Sequence, residues 1–149
     1  MLIRDARVDE CDALSAVAFA SKAYWGYDDA FMEACRTELT VTPADFERAC
    51  IRLAERDGSL LGFHAVDHDE ILWFFVRPEH MGEGVGAALF ADACATARAR
   101  GLSELRIEAD PNAAPFYERM GATLIGAAPS QSIPGRDLPL FTIDVSSKT

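Results

Sequence analysis

The sequence predicts a mixed α/β sheet, largely antiparallel at first and with one parallel pair later, and three observations carry that expectation. Between residues 49 and 76 three strand-like runs follow closely, the first two joined by Asp57-Gly58, a pair suited to a tight hairpin turn. The third, Glu70-Ile71-Leu72-Trp73-Phe74-Phe75-Val76, is apolar enough for a central strand covered on both faces. A glycine-rich turn, an amphipathic helix and an alternating run at residues 105–109 come next, and a strand, helix, strand unit of this length gives a parallel pair.

The remaining elements follow from local pattern. Residues 2–7 alternate as a short strand, and Leu14, Val17, Ala18 and Ser21 recur at the spacing of a helix beginning near Asp9. Tyr24-Trp25-Gly26-Tyr27 interrupts it, after which Asp28 or Asp29 can cap a second helix carrying Phe31, Met32, Cys35 and Leu39. Thr42-Pro43-Ala44-Asp45 reads as another helical start, with proline early in the first turn, where its missing N–H does little harm. Residues 49–56 and 59–66 form the hairpin, and Asp67-His68-Asp69 turns the chain into the apolar run. The helix after the glycine-rich turn carries Ala87, Phe90, Ala93, Cys94 and Ala97 along one face and is closed by Gly101. Asp110-Pro111-Asn112 ends the next strand, residues 113–120 form a short helix stopped by Gly121, and closing strands near 123–127 and 138–145 flank a loop at 129–137. No repeat or linker divides the chain, so one domain over residues 1–149 is expected.

Composition excludes several classes. Half of the 149 residues are hydrophobic, enough for one core. No run approaches the roughly 20 apolar residues of a membrane span. The opening MLIRDARVDEC lacks the layout of a signal peptide, so a cytoplasmic protein with no membrane partner is expected. The 24 acidic side chains outnumber the 14 basic ones, and a formal charge of −10 repels nucleic acid while drawing in a cationic substrate. A polyanionic cofactor would need a local exception built from backbone N–H groups. Cys11, Cys35, Cys50 and Cys94 form no CxxC pair, and His64, His68 and His80 have no partners at metal-ligand spacing, so neither a disulfide framework nor a metal is expected. Cys94 lies on the apolar helix face, which disfavours a covalent cysteine intermediate.

The segment with most chemistry joins the apolar strand to Met81-Gly82-Glu83-Gly84-Val85-Gly86. A helix N-terminus leaves N–H groups unpaired and carries partial positive charge, so it can hold a pyrophosphate without a basic side chain. Gly82, Gly84 and Gly86 allow close approach and positive φ, although a tight connection alone would also use them.

At this point the sequence resembles the GCN5-related N-acetyltransferase (GNAT) superfamily, whose cofactor motif follows a strand ending in Val-x-Pro. Val76-Arg77-Pro78 precedes the glycine turn at the family's spacing, and Phe116-Tyr117-Glu118-Arg119-Met120-Gly121 matches the family's next helix. The resemblance covers residues 49–145, whereas the N-terminal helices carry no motif. Met81 replaces the Arg or Gln that usually opens the turn, and Asp110 stands where many members place an asparagine.

The resemblance implies a GNAT-like fold with a splayed parallel pair, acetyl coenzyme A as co-substrate and a small-molecule amine as acceptor; homodimers are common in the superfamily. It implies cofactor binding by Phe74, Val76, Met81, Gly82, Glu83, Gly84, Val85, Gly86, Asn112 and Tyr117, with β-strand separation after Phe74 or Phe75. The Phe74 amide would support the developing oxyanion, a role that needs an N–H aimed at that oxygen. Glu70, or a water it orients, would take the proton of the amine, and Tyr117 would protonate the departing sulfur. Glu70 can equally be a solvated turn residue, and Tyr117 a half-buried packing aromatic. Tyr24, Trp25 and Tyr27 would help form the acceptor pocket, or only pack. Arg136, in a loop long for its place, either selects an acceptor carboxylate or forms a surface salt bridge. Transfer of another acyl group, or a non-catalytic coenzyme A sensor or dimerisation module, remain the alternatives.

Overall fold

Asp57 and Gly58 both take positive φ, 53° and 81°, in the computed structural model, which describes residues 1–146. A turn with two positive φ values matches the right-handed twist of the strands it joins. It therefore sets β2 (Ala49–Arg56) and β3 (Ser59–Asp67) as an antiparallel hairpin. A short turn at His68 and Asp69, with His68 at φ 53°, leads into β4 (Glu70–Val76), which pairs antiparallel with β3. β1 (Leu2–Asp5) joins the far edge of β2. β5 (Glu104–Glu108) runs parallel to β4. The closing pair is β6 (Thr123–Pro129) and β7 (Asp137–Asp144), and β7 inserts between β5 and β6. The order β1-β2-β3-β4-β5-β7-β6 puts β4 in the middle of seven strands, as its apolar composition demanded.

One face of the sheet is covered by α1 (Cys11–Ala23) and α2 (Asp29–Cys35). Leu14, Val17, Ala18 and Ser21 of α1 are all buried, and Asp28 caps α2 by accepting a hydrogen bond from the Phe31 N–H at 2.8 Å. Ile51, Leu53, Phe63, Ala65 and Trp73 supply the sheet side of this core. α4 (Val85–Ala99) packs on the opposite face of β3, after the one-turn α3 (Asp45–Arg48). α5 (Ala114–Arg119) joins that side, where Phe90, Leu105, Ile107, Tyr117 and Phe141 form a second core. In β5 Leu105 and Ile107 are buried while Glu104, Arg106 and Glu108 are exposed, so this strand is covered on one face only.

Several boundaries differ from the sequence expectation. The first strand stops at Asp5, and a 3-10 turn at Val8–Glu10 precedes α1. α2 ends at Cys35, leaving Leu39 buried in the following turns. α3 begins only at Asp45, because the Asp45 carboxylate accepts hydrogen bonds from the Thr42 N–H and hydroxyl and fixes that stretch as the helix entry. The buried face of α4 is made by Val85, Leu89, Phe90, Ala93 and Ala97, whereas Ala87 is exposed. Gly101, at φ 84°, ends α4 with the Leu102 N–H bonded back to the Ala97 carbonyl at 3.1 Å. A 3-10 turn at Pro111–Ala113 takes the start of the expected short helix. Among the described residues no helix is long and apolar enough to cross a membrane.

Candidate active site

The site begins with a parallel pair that barely pairs. β4 and β5 are matched only at Glu70 with Arg106 and Ile71 with Ile107, and then separate. The opening lies after Ile71, earlier than the expected Phe74 or Phe75. Its cause is a bulge. Val66 of β3 faces Ile71 and Ala65 faces Trp73, so Leu72 is an extra residue with no partner, and an extra residue bends its strand and increases the local twist.

The bulge also resets which way the amides point. The Arg77 N–H donates to the Leu61 carbonyl at 2.8 Å, and the register continues through Phe75 opposite Phe63. Amides alternate in direction along a strand, so those of Phe75 and Arg77 face β3 and those of Phe74 and Val76 face the gap. Two backbone donors therefore stand along one wall of an opening that no strand fills.

This gap is part of a cleft of about 550 Å³. At one end Met81, Gly82, Gly84 and Gly86 line it, while Glu83 turns away to Arg56 and His80 at 3.2 and 3.1 Å and Val85 is buried beneath the helix. Gly82 and Gly84 have φ of 82° and 86°, and Gly84 is the N-cap of the 15-residue α4. Gly86 does not need a positive φ; a Cβ there would lie 3.1 Å from the Phe116 ring, so its bareness serves packing. No acidic residue sits in the first turn of α4, which leaves its unpaired N–H groups uncompensated.

Tyr117 lines the middle of the cleft. Its ring is packed 5.9 Å from Phe74, 6.0 Å from Phe90 and 6.1 Å from Phe141, and its hydroxyl has no hydrogen-bond partner among the described residues. Burial, helped by the negative charge of Asp110, pushes this phenol well above its ordinary range and keeps it protonated. Glu70 is half-buried at the first of the two paired positions and is not among the residues lining the cleft. Burial, then the charges of Glu108, Asp67 and Asp69, raise its carboxyl above the usual value, with Arg106 partly opposing. Glu108, unremarked in the sequence, does line the cleft as the first β5 residue beyond the last β4 pair. Only knowledge of where the strands part could single it out.

The other end of the cleft is a polar cluster. Trp25 lines it, Tyr24 stacks edge-on against Trp25 at 5.3 Å, and Tyr27 stands behind the lining residues, stacked on Phe31 at 3.9 Å. The Tyr27 hydroxyl donates to Asp110 at 2.8 Å and accepts from Arg136 Nη2 at 2.7 Å and Asn112 Nδ2 at 3.0 Å. Asp110 also accepts from Lys22 Nζ at 2.7 Å, from the Asn112 N–H at 2.8 Å and from Asn112 Nδ2 at 3.0 Å. Burial alone would raise the Asp110 carboxyl, but these bonds, Lys22 first, hold it below the usual carboxylate range. Lys22, Asp110 and Asn112 line the cleft; Arg136 does not, and lies over the Tyr27 and Phe31 rings at 5.1 and 4.8 Å. Sequence reasoning missed Lys22, which carries no motif. Among the described residues no group of three or more His, Cys, Asp or Glu could hold a metal.

A gap between parallel strands, walled by free backbone donors and running to the bare N-terminus of a long helix, suits an acyl coenzyme A transferase. Residues 21–129 match the acetyltransferase (GNAT) domain family, and the chain belongs to that family. A 5-NmdU N-acetyltransferase of Pseudomonas phage PaMx11 is 31% identical over 104 residues, covering 66% of this chain and 71% of that protein. A mycothiol acetyltransferase of Thermobispora bispora is 34% identical over 128 residues, 74% of this chain but only 41% of that longer protein. Among solved structures, a GCN5-related N-acetyltransferase from Rhodopseudomonas palustris superposes with a TM-score of 0.82 at 24% identity, covering 96% of this chain and 94% of that one. The PaiA N-acetyltransferase of Thermoplasma acidophilum, solved with coenzyme A, gives 0.75 at 17% identity, covering 96% and 98%. The protein is thus an acetyltransferase with acetyl coenzyme A as co-substrate.

Proposed function

We propose that the protein passes an acetyl group from acetyl coenzyme A to the primary amine of a small molecule, by direct attack with both substrates bound. The observation that carries this reading is the pair of Phe74 and Val76 amides facing a cleft that ends at the glycine turn of α4. Acetyl coenzyme A supplies the activated acyl group and a thiol leaving group. The N–H groups of Gly82 to Gly86 and the α4 N-terminus would hold its phosphates, with Met81 and Asn112 beside its path. Phe74 would direct its N–H at the oxygen where negative charge develops.

The amine must arrive neutral or lose a proton. Glu70 has a raised carboxyl, which improves it as a base, but it stands outside the cleft wall. It would act through water beside Glu108, whose charge helps raise it. Tyr117, held protonated in the middle of the cleft, would donate to the departing sulfur. Trp25, with Tyr24 and Tyr27 around it, would form the acceptor's wall. A small acceptor is supported by the names of the matched relatives, which act on 5-NmdU and mycothiol.

Calorimetric titration with acetyl, propionyl and free coenzyme A, followed by a free-thiol assay over an amine panel, tests this. Tightest binding of the acetyl thioester together with amine-dependent thiol release is expected. Absence of binding by any thioester would sink the reading, and binding without thiol release from any amine would leave a coenzyme A-binding module instead.

A further inference from the structure

We infer that Lys22 and Arg136 form a subsite for a carboxylate on the acceptor, so that the amine substrate carries a single negative charge near its nucleophile. This rests on the acetyltransferase reading above and adds the acceptor's chemical class.

The argument begins with unused hydrogen-bonding capacity. Asp110 accepts from Lys22, Tyr27, the Asn112 N–H and Asn112 Nδ2, which fills the carboxylate. Lys22 makes one hydrogen bond, to Asp110, and the Arg136 side chain makes one, to Tyr27; its nearest approach to Asp110 is 3.7 Å. Most N–H donors on both cations therefore have no acceptor among the described residues, although only 16% and 19% of the two side chains is exposed. Two cations share one saturated carboxylate. Lys22, Arg136 and Asp110 by themselves sum to one positive charge, while a further carboxylate on the cleft wall, Glu38, is tied to the Ser132 hydroxyl.

An acceptor's ammonium finds no hydrogen-bond acceptor on Asp110, which has no lone pair left and faces two cations. An anion finds the unused donors of Lys22 and Arg136. Local charge then selects among anions: one of the two positive charges is balanced by Asp110, and the remaining one matches a monoanionic carboxylate better than a dianionic phosphate monoester. A guanidinium fork with a neighbouring ammonium also suits the planar carboxylate.

The subsite is preorganised. The guanidinium packs against the Tyr27 and Phe31 rings, 5.1 and 4.8 Å from their centroids, and these are themselves stacked at 3.9 Å. Its loop is folded on itself, with the Ser130 N–H bonded to the Arg136 carbonyl at 2.7 Å and the Arg136 N–H to the Ile133 carbonyl at 3.2 Å. The Ser132 hydroxyl ties the same loop to Glu38, another cleft-lining residue. Arg136 is thus held against Tyr27, just behind the lining residues Lys22 and Asp110, rather than free on the surface.

The test compares common amino acids with their carboxamides and decarboxylated amines, and O-phosphoethanolamine with ethanolamine, by thiol release in the parent protein and in Arg136→Gln and Arg136→Lys. Acetyl coenzyme A affinity, measured by calorimetry, reports on folding in each variant. A carboxylate-bearing amine should exceed its carboxamide about tenfold or more in kcat/KM, mainly through KM. Arg136→Gln should abolish that preference and Arg136→Lys should restore part of it. Equal use of acid and amide, a preference that survives Arg136→Gln, a stronger preference for the phosphate, or thioester binding with no carboxylated amine turned over would each overturn the subsite alone. Failure to bind acetyl coenzyme A would remove both this inference and the acetyltransfer reading beneath it.

Discussion

The two ends of the cleft are made of different materials. The end proposed for the phosphates is backbone from one continuous stretch, Val76 to Gly86, where Gly82 and Gly84 are left-handed and the side chain between them, Glu83, is turned outward to Arg56. The end proposed for the acceptor is side chains from three separated stretches, with Lys22 and Asp110 separated by 88 residues and Tyr27 and Arg136 by 109. A cradle made of backbone does not depend on the side chain a residue carries, and Met81 in the turn puts that independence to the test. A convergence of side chains depends on every element that brings them together.

That contrast can be broken or sharpened by substitution. The largest effect is expected between the two ends: Tyr117→Phe should lower kcat about a hundredfold and leave the acetyl coenzyme A Kd unchanged by calorimetry, since it removes a proton donor and no binding contact. Equal kcat with a good acceptor would remove Tyr117 from the chemistry. Next, Gly84→Val forces a β-branched residue to φ 86°, a strain of about 1–3 kcal/mol. Thioester affinity should fall about tenfold or more while the ratio of KM values between acceptors stays fixed; Met81→Ala in the same turn should change affinity far less.

Asp110→Asn acts in the opposite sense. It leaves Lys22 and Arg136 without their shared carboxylate and should destabilise the fold by about 1–3 kcal/mol, read by denaturant titration. Acceptor KM should change and thioester affinity should not. The smallest effect is expected far from both ends, at Asp92. Burial would raise its carboxyl, yet the hydrogen bonds from His64 and Arg52 prevail and hold it at about 2, below the unfolded value of 3.8. A depressed folded value contributes stability that is present above the unfolded pKa and lost as pH falls through the folded one. Stability should therefore drop between about pH 4 and pH 2, by at most about 2 kcal/mol because the group is partly solvated, and Asp92→Asn should flatten that drop.

Legibility in the sequence followed the same division. Asp57-Gly58 revealed the hairpin because its turn admits few residues, and the limits of β4 were plain because polar turns bound an apolar run. The glycine turn was legible for the same local reason. On α4 the helical period was right but alanine is a weak marker of burial, so exposed Ala87 was taken for the face that Leu89 occupies. The opening point was misplaced because nothing in Ile71-Leu72-Trp73 distinguishes a bulge from an ordinary pair; no glycine or proline marks it. Glu108 could not be recognised before that point was known. Lys22 was unreadable in principle, since its meaning arises only when the end of α1 meets the turn after β5.

Leu72 shows that part of this site is written in the number of residues rather than in their kinds. Its side chain joins the α1-side core, which other apolar residues could fill, so point changes there would be tolerated by the cleft. Loss of the codon would be another matter. With one residue fewer between Ile71 and Trp73, the ladder with β3 would run on unbroken; the amides of Phe74 and Val76 would still face outward, but the bend that parts β4 from β5 would be gone and the opening would tend to close. For descendants of this gene, an in-frame deletion of three bases at this position would be a heavier lesion than most missense changes in the same strand.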